Sequence, residues 1–126
     1  MFSSVLQVAL GGAVGATLRY LTGMGVFRVL GPQDFPVAII LVNVVGSFLM
    51  GIFVVAAAHR ELHHLSPLVV TGLMGGFTTF SAFSLEAVTL YERGAVGYAA
   101  LYVGLSVGLS LAALAAGLFV ARGIWA

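Results

Sequence analysis

The chain has 126 residues, of which 61% are hydrophobic and only 7% are charged, whereas an average soluble domain carries about 25% charged residues. The net charge is +1 with no block of like charge, which excludes a nucleic-acid partner because that would need a clustered basic surface. The chain has no cysteine, which excludes disulfides, thiolate metal sites and cysteine nucleophiles. The composition predicts one all-α membrane domain, residues 1–126, embedded in a lipid bilayer.

Four apolar segments are each long enough to cross a bilayer as a helix, which takes about 20 residues. In chain order they cover about 4–27, 37–58, 67–91 and 95–121, and charged or turn-forming residues separate them. Pro36 and Pro67 stand where the second and third segments begin, a position that tolerates proline. We therefore expect four transmembrane helices with both chain ends on one side of the membrane.

The basic residues are distributed almost evenly across this topology. Three lie on one side and two on the other: Arg19, Arg28 and Arg93 against Arg60 and Arg122. Because the bias in positive charge normally sets orientation, so small a bias favours insertion in both orientations. The alternative is a weak bias that still selects one orientation.

Pairs of glycines four residues apart predict close contacts between helices. The pairs are Gly11 with Gly15, Gly72 with Gly76, and Gly104 with Gly108. Four helices of this length leave no room for a wide lumen, so a transport pathway would be narrow or lie between subunits. Together with the balanced charge, this suggests an antiparallel homodimer.

The third segment holds a sequence that disfavours helix near its middle. Gly75-Gly76 is followed by Thr78-Thr79, and both residue types are poor helix formers. A break at membrane depth frees backbone carbonyls, which are tolerated only where protein, water or an ion satisfies them. Carbonyl oxygens suit a hard cation such as Na⁺, and two chains about a two-fold axis would double the ligands. The alternative is a tight glycine contact, with threonine hydroxyls bonded back to the helix.

Aromatic residues recur every three positions in the same segment, at Phe77, Phe80 and Phe83. Such a stripe is consistent with lipid contact or packing. It is also consistent with an anion pathway, because the edge of an aromatic ring is positive.

Isolated polar side chains occur in the other three segments. Asn43 lies in an otherwise apolar stretch, where its amide either ties two helices together or donates to an anion. Tyr102, Ser106 and Ser110 share one helix face, either as contacts between helices or as a track of O–H donors about 6 Å apart. Arg19 either reaches the membrane surface or lies at a pore mouth that concentrates anions. No catalytic pattern is recognisable, so we expect no enzyme.

Three stretches resemble the Fluc (CrcB) family of fluoride channels. They are GGAVGATLRY at 11–20, VNVVGSF at 42–48 and GGFTTFSAF at 75–83. The likeness extends over all four segments in order, and the third motif is the specific one.

The resemblance implies an antiparallel, dual-topology homodimer in the cell (inner) membrane that exports cytoplasmic fluoride by passive electrodiffusion through two pores. It implies a structural Na⁺ at the dimer centre, held by the backbone carbonyls of Gly75 and Thr78. The fluoride pathway that it implies comprises Arg19, Asn43, Phe80, Ser81, Phe83, Tyr102, Ser106 and Ser110.

The sequence departs from the family pattern at three positions. Ile39, Ala82 and Leu114 stand where members often carry threonine, and we expect these changes to alter the conduction rate. The main rival interpretation is a small dual-topology proton-coupled multidrug exporter. That chemistry needs a carboxylate deep in the first helix, and the first segment has none. A non-transporting assembly subunit is a second rival, but it would not need polar residues aligned around a midspan break.

Overall fold

The computed structural model describes residues 2–32 and 35–125, and every regular element in them is helical. α1 is Phe2–Leu30 and α2 is Val37–Arg60. A short 3₁₀ turn, His63–Leu65, leads into a π-helical segment, Pro67–Met74, which continues as α3, Gly75–Phe77. α4 is Ser81–Glu92 and α5 is Val96–Trp125. The predicted all-α fold is confirmed. The first, second and fourth predicted segments overlap α1, α2 and α5, and the third spans the π-helical segment, α3, the interruption and α4.

Three helical stretches among the described residues are long and apolar enough to cross a membrane. They are Val37–Arg60, His63–Glu92 and Val96–Trp125, with 24, 30 and 30 residues. α1 is as long, at 29 residues, but glycines, Gln7 and Arg19 make it less apolar. That α1 also crosses the membrane therefore stays a prediction.

The turns between helices depend on backbone conformations that favour glycine. Gly31 (φ +74°) follows α1 and Gly94 (φ +82°) follows α4, both in the left-handed region that ends helices without steric cost at glycine. Glu61 takes the same conformation (φ 55°) after α2, and its N–H donates to the carbonyl of Ala57.

Glycines let two pairs of helices pack backbone against backbone. A Cβ on Gly15 would overlap the Leu73 carbonyl oxygen, and one on Gly76 would lie 2.8 Å from the Gly12 carbonyl oxygen, so α1 packs directly on the third helix. A Cβ on Gly117 would overlap the Phe48 carbonyl oxygen, so α5 packs on α2 in the same way. The first two predicted glycine pairs are therefore confirmed as close contacts.

The third predicted glycine pair is different. Ideal Cβ atoms on Gly104 and Gly108 would meet nothing within 4 Å among the described residues. This pair makes no backbone-to-backbone contact with the described part of the chain. α5 meets α2 through Gly117, which contacts Phe48, and presents the Gly104 face outward. Gly51 and Gly117, which sequence inspection did not single out, take that role.

A small aromatic core joins α4 to α5. Phe83, Leu90, Ala99 and Tyr102 form one buried cluster, with Phe35 packed edge-on against Tyr102 at a centroid distance of 5.7 Å. This cluster fixes where α4 restarts relative to α5.

Candidate functional site

The third helix is interrupted near the middle of its length, where the sequence predicted a break. α3 ends at Phe77, Thr78 is extended (φ −87°, ψ 163°), and α4 begins at Ser81. The Thr78 N–H and O–H both donate to the Met74 carbonyl oxygen, at 2.9 and 2.8 Å, and so complete the last turn before the break.

The break redirects the hydrogen bonds that a continuous helix would make. In such a helix the Thr79 N–H would donate to the Gly75 carbonyl, and the Ala82 N–H would donate to the Thr78 carbonyl. Instead Thr79 N–H donates to Asn43 Oδ1 at 2.8 Å, and Ala82 N–H donates to Thr79 Oγ1 at 3.1 Å. The carbonyl oxygens of Gly75 and Thr78 thereby lose their helical partners, and Gly75 is exposed.

Asn43 ties α2 to the break through two reciprocal hydrogen bonds. Besides accepting from Thr79 N–H, its side chain donates through Nδ2 to the Thr79 carbonyl oxygen at 3.0 Å. Two roles were considered for this amide, and the structure shows the first: it ties α2 to the third helix. One of the two Nδ2 hydrogens is used in this pair, and the second is available for another acceptor.

Arg19 holds the break from the opposite side. Its Nε donates to the Gly76 carbonyl oxygen at 3.1 Å, and in a continuous helix that oxygen would accept from the N–H of Phe80. Sequence reasoning missed this bond because the two residues are 57 positions apart and no local spacing relates them.

A cavity of about 360 Å³, hereafter the polar cavity, opens between the break, α2 and α5. Five of the eight predicted pathway residues line it: Asn43, Phe80, Phe83, Ser106 and Ser110. Ser47 also lines it. Ser47 lies one turn beyond Asn43 on the same helix face, so the four-residue spacing in the sequence was the signal that would have found it.

The two phenylalanines of the cavity differ in exposure. Phe83 is buried, whereas Phe80 is 77% exposed, and their ring centroids are 5.4 Å apart with the planes inclined at 46°. The Phe80 ring therefore lies on the cavity wall and is exposed at the surface of the chain. Phe77, the third member of the stripe, does not line the cavity.

The predicted polar face of α5 divides into two parts. Ser106 and Ser110 line the cavity, while Tyr102 lies fully buried beneath Phe83, with its ring centroid 5.3 Å from that of Phe83. Tyr102 Oη and Ser106 Oγ are buried and have no hydrogen-bond partner among the described residues. Both hydroxyls can donate a hydrogen bond.

Ser81 and Arg19 lie outside the polar cavity. Ser81 is exposed, with its Oγ 3.4 Å from Thr79 Oγ1. Arg19 lines a second cavity of about 540 Å³ between α1 and α2, together with Arg28. We call this the cationic cavity. Ile39 and Ala82, two of the three departures from the family pattern, also line it.

Apolar helices of membrane-spanning length and a midspan break beside a polar cavity define a multi-pass membrane protein. The family model described as "CrcB-like protein, Camphor Resistance (CrcB)" matches residues 6–118, and the chain belongs to this family.

Relatives match over nearly their whole length. The chain is 68% identical over 124 residues to "Fluoride-specific ion channel FluC" of Ruegeria sp. (strain TM1040), covering 98% of each chain. It is 65% identical over 123 residues to the protein of that name from Roseobacter denitrificans, covering 97% of this chain and 98% of the other. It is 48% identical to the Paracoccus denitrificans protein of that name over 126 residues, covering both chains completely.

Proposed function

We propose that this protein is a fluoride channel that exports cytoplasmic fluoride by passive electrodiffusion. The observation that carries the proposal is the polar cavity, which combines two phenylalanine rings with amide and hydroxyl donors at the helix break. The described residues of its lining include no carboxylate, the group that a proton-coupled drug exporter would need. The names of the relatives support the same conclusion.

The cavity suits a small anion that must shed its water. Ser106 Oγ is buried with no hydrogen-bond partner in the described part of the chain, and Asn43 retains one amide hydrogen after bonding to Thr79. Ser110 adds a hydroxyl one turn farther along α5. The edges of Phe80 and Phe83 supply weakly positive C–H groups in the remaining directions. These groups replace water around fluoride without holding it by a full charge, and release onward therefore stays fast.

We further propose that two antiparallel copies form the working unit, with α1 as the fourth span of each. The 77% exposure of Phe80 supports this, because a ring on the cavity wall needs a cover to become part of an enclosed pore. The exposed Gly75 and the open Gly104 and Gly108 leave room for a second chain. Each protomer would then contribute one polar cavity, giving two pores.

The break fits the sodium site proposed for the dimer centre. Gly75 and Thr78 each offer a carbonyl oxygen whose helical donor is engaged elsewhere, and two protomers would supply four such oxygens. Hard cations prefer oxygen ligands of this kind. A bound Na⁺ would supply a fixed positive charge that holds the two breaks together. Replacing Na⁺ by a large organic cation should lower the thermal stability of the purified dimer, and equal stability in both media would contradict the site.

Fluoride efflux from liposomes tests the function directly. Purified protein is reconstituted into vesicles loaded with potassium fluoride, and efflux is followed with a fluoride electrode after valinomycin is added. We expect rapid fluoride release, with vesicles loaded with chloride releasing far less. The same vesicles are also measured under an imposed proton gradient. Transport that depends on this gradient would favour the proton-coupled exporter over the channel. Fluoride release no faster than from protein-free vesicles would reject the channel.

A further inference from the structure

Thr79 occupies a special position between the two cavities. Among the described residues it alone lines both the polar cavity and the cationic cavity. On one side are Ser106 and Ser110, and on the other are Arg19 and Arg28. Thr79 therefore belongs to the wall that separates a region attracting anions from a region with hydroxyl donors.

The hydrogen bonds of Thr79 leave its hydroxyl proton with one long contact among the described residues, to Ser81 Oγ at 3.4 Å. Its backbone N–H and carbonyl are both bound by Asn43, and its Oγ1 accepts from the Ala82 N–H at 3.1 Å. By contrast, the hydroxyls of Thr17, Thr22, Thr78 and Thr89 each donate to the carbonyl four residues earlier.

The Ser81 Oγ, at 3.4 Å, is only a distant acceptor for the Thr79 hydroxyl. Accepting a hydrogen bond also polarises a hydroxyl and makes it a stronger donor.

The remainder of the cationic cavity offers few groups that could accompany an anion inward. Of the residues on its wall that the structure describes, Thr79 is the only serine or threonine, since Ile39 and Ala82 occupy the neighbouring positions. The guanidinium of Arg19 is fixed through Nε to the Gly76 carbonyl. The other hydroxyl on this wall belongs to Tyr20, next to Arg19, and Tyr20 does not line the polar cavity. Thr79 therefore offers the hydroxyl through which an anion attracted by the two arginines can reach the polar cavity.

We infer that Thr79 is the point at which fluoride passes from the cationic cavity to the polar cavity, with the Thr79 hydroxyl donating to the ion as it crosses. The inference rests on the proposed fluoride channel and adds an entry route and a binding residue to it. The two bonds from Asn43 hold the Thr79 backbone in place, so that the hydroxyl keeps its position while the ion moves past.

A single-cysteine experiment tests this route, because the chain contains no cysteine of its own. Thr79→Cys and the matched control Thr89→Cys are reconstituted and treated on both sides with a negatively charged, membrane-impermeant methanethiosulfonate. We expect fluoride efflux through Thr79→Cys to fall about tenfold or more on labelling, because the attached group places a negative charge on the route of the anion. High fluoride during treatment should slow the labelling, and Thr89→Cys should be unaffected.

Each other outcome has a definite meaning. Absence of labelling at Thr79→Cys, full efflux after complete labelling, or labelling that fluoride does not slow would overturn the inference. If Thr79→Cys fails to fold, Thr79→Ser and Thr79→Val replace it. Parent-like efflux for serine with a tenfold or larger loss for valine supports the inference, as one lost hydrogen bond predicts, and equal efflux for both refutes it. An inactive parent would reject the proposed channel instead.

Discussion

Asn43→Leu is the most informative single substitution, because it keeps the side-chain size and removes both bonds to the break. In the parent, Asn43 Oδ1 accepts from Thr79 N–H at 2.8 Å and Nδ2 donates to the Thr79 carbonyl at 3.0 Å. A leucine leaves both backbone groups without a partner. We expect lower stability of the folded protein and slower fluoride efflux.

The size of the effect follows from the two groups that are left unpaired. An unsatisfied buried donor or acceptor costs about 1–3 kcal/mol, which gives about 2–6 kcal/mol for the pair. Both groups are only partly buried, and water in the adjoining cavity offsets part of the cost. We therefore expect a loss near the lower end, about 2–3 kcal/mol in the free energy of unfolding.

Denaturant unfolding of the purified protein in detergent measures this loss, with efflux measured on the same preparations. Ser47→Ala is the matched control, since Ser47 lines the same cavity from the same helix and makes no hydrogen bond to the part of the chain that the structure describes. Its unfolding free energy should stay within about 0.5 kcal/mol of the parent. Parent-like stability of Asn43→Leu would refute the idea that this pair holds the break.

Three further predictions concern the rings, the helix packing and the orientation. Phe80→Ile or Phe83→Ile should slow fluoride efflux roughly tenfold to a hundredfold by removing a ring edge from the cavity. Phe77→Ile should matter much less because that ring is off the cavity, and equal rates for all three would leave the stripe as packing. Gly15→Ala should cost about 1–3 kcal/mol in unfolding experiments by forcing α1 away from the third helix. Gly12→Ala, where a Cβ meets nothing within 4 Å, should cost little, and equal losses would show that the close contact is unimportant. A C-terminal tag should be accessible from both sides of native membranes because the arginines are balanced, and one-sided access would exclude dual insertion.

The sequence by itself determined the features that depend on local composition. Apolar segments of bilayer length predicted the helices, because a backbone in lipid must satisfy its own hydrogen bonds and segments of about 20 residues do so as helices. The glycine pair followed by two threonines predicted the break, because their poor helix propensity acts within a few residues. The structure places the interruption at Thr78 and restarts the helix at Ser81. The local sequence also singled out Asn43 as a functional residue, because an amide in an apolar helix is costly unless it is hydrogen-bonded.

Only the tertiary structure decided which groups meet. Asn43 bonds to a residue 36 positions away and Arg19 to one 57 positions away, and the sequence had left both roles open. The sequence placed Tyr102, Ser106 and Ser110 on one face of α5. In the structure Phe83 covers Tyr102, and only the two serines line the cavity. Likewise Gly104 and Gly108 face outward although their spacing equals that of the packed pairs. Spacing along one helix fixes which residues share a face. What that face meets depends on how several helices pack, because their partners are set by shape and by backbone groups far apart in the sequence.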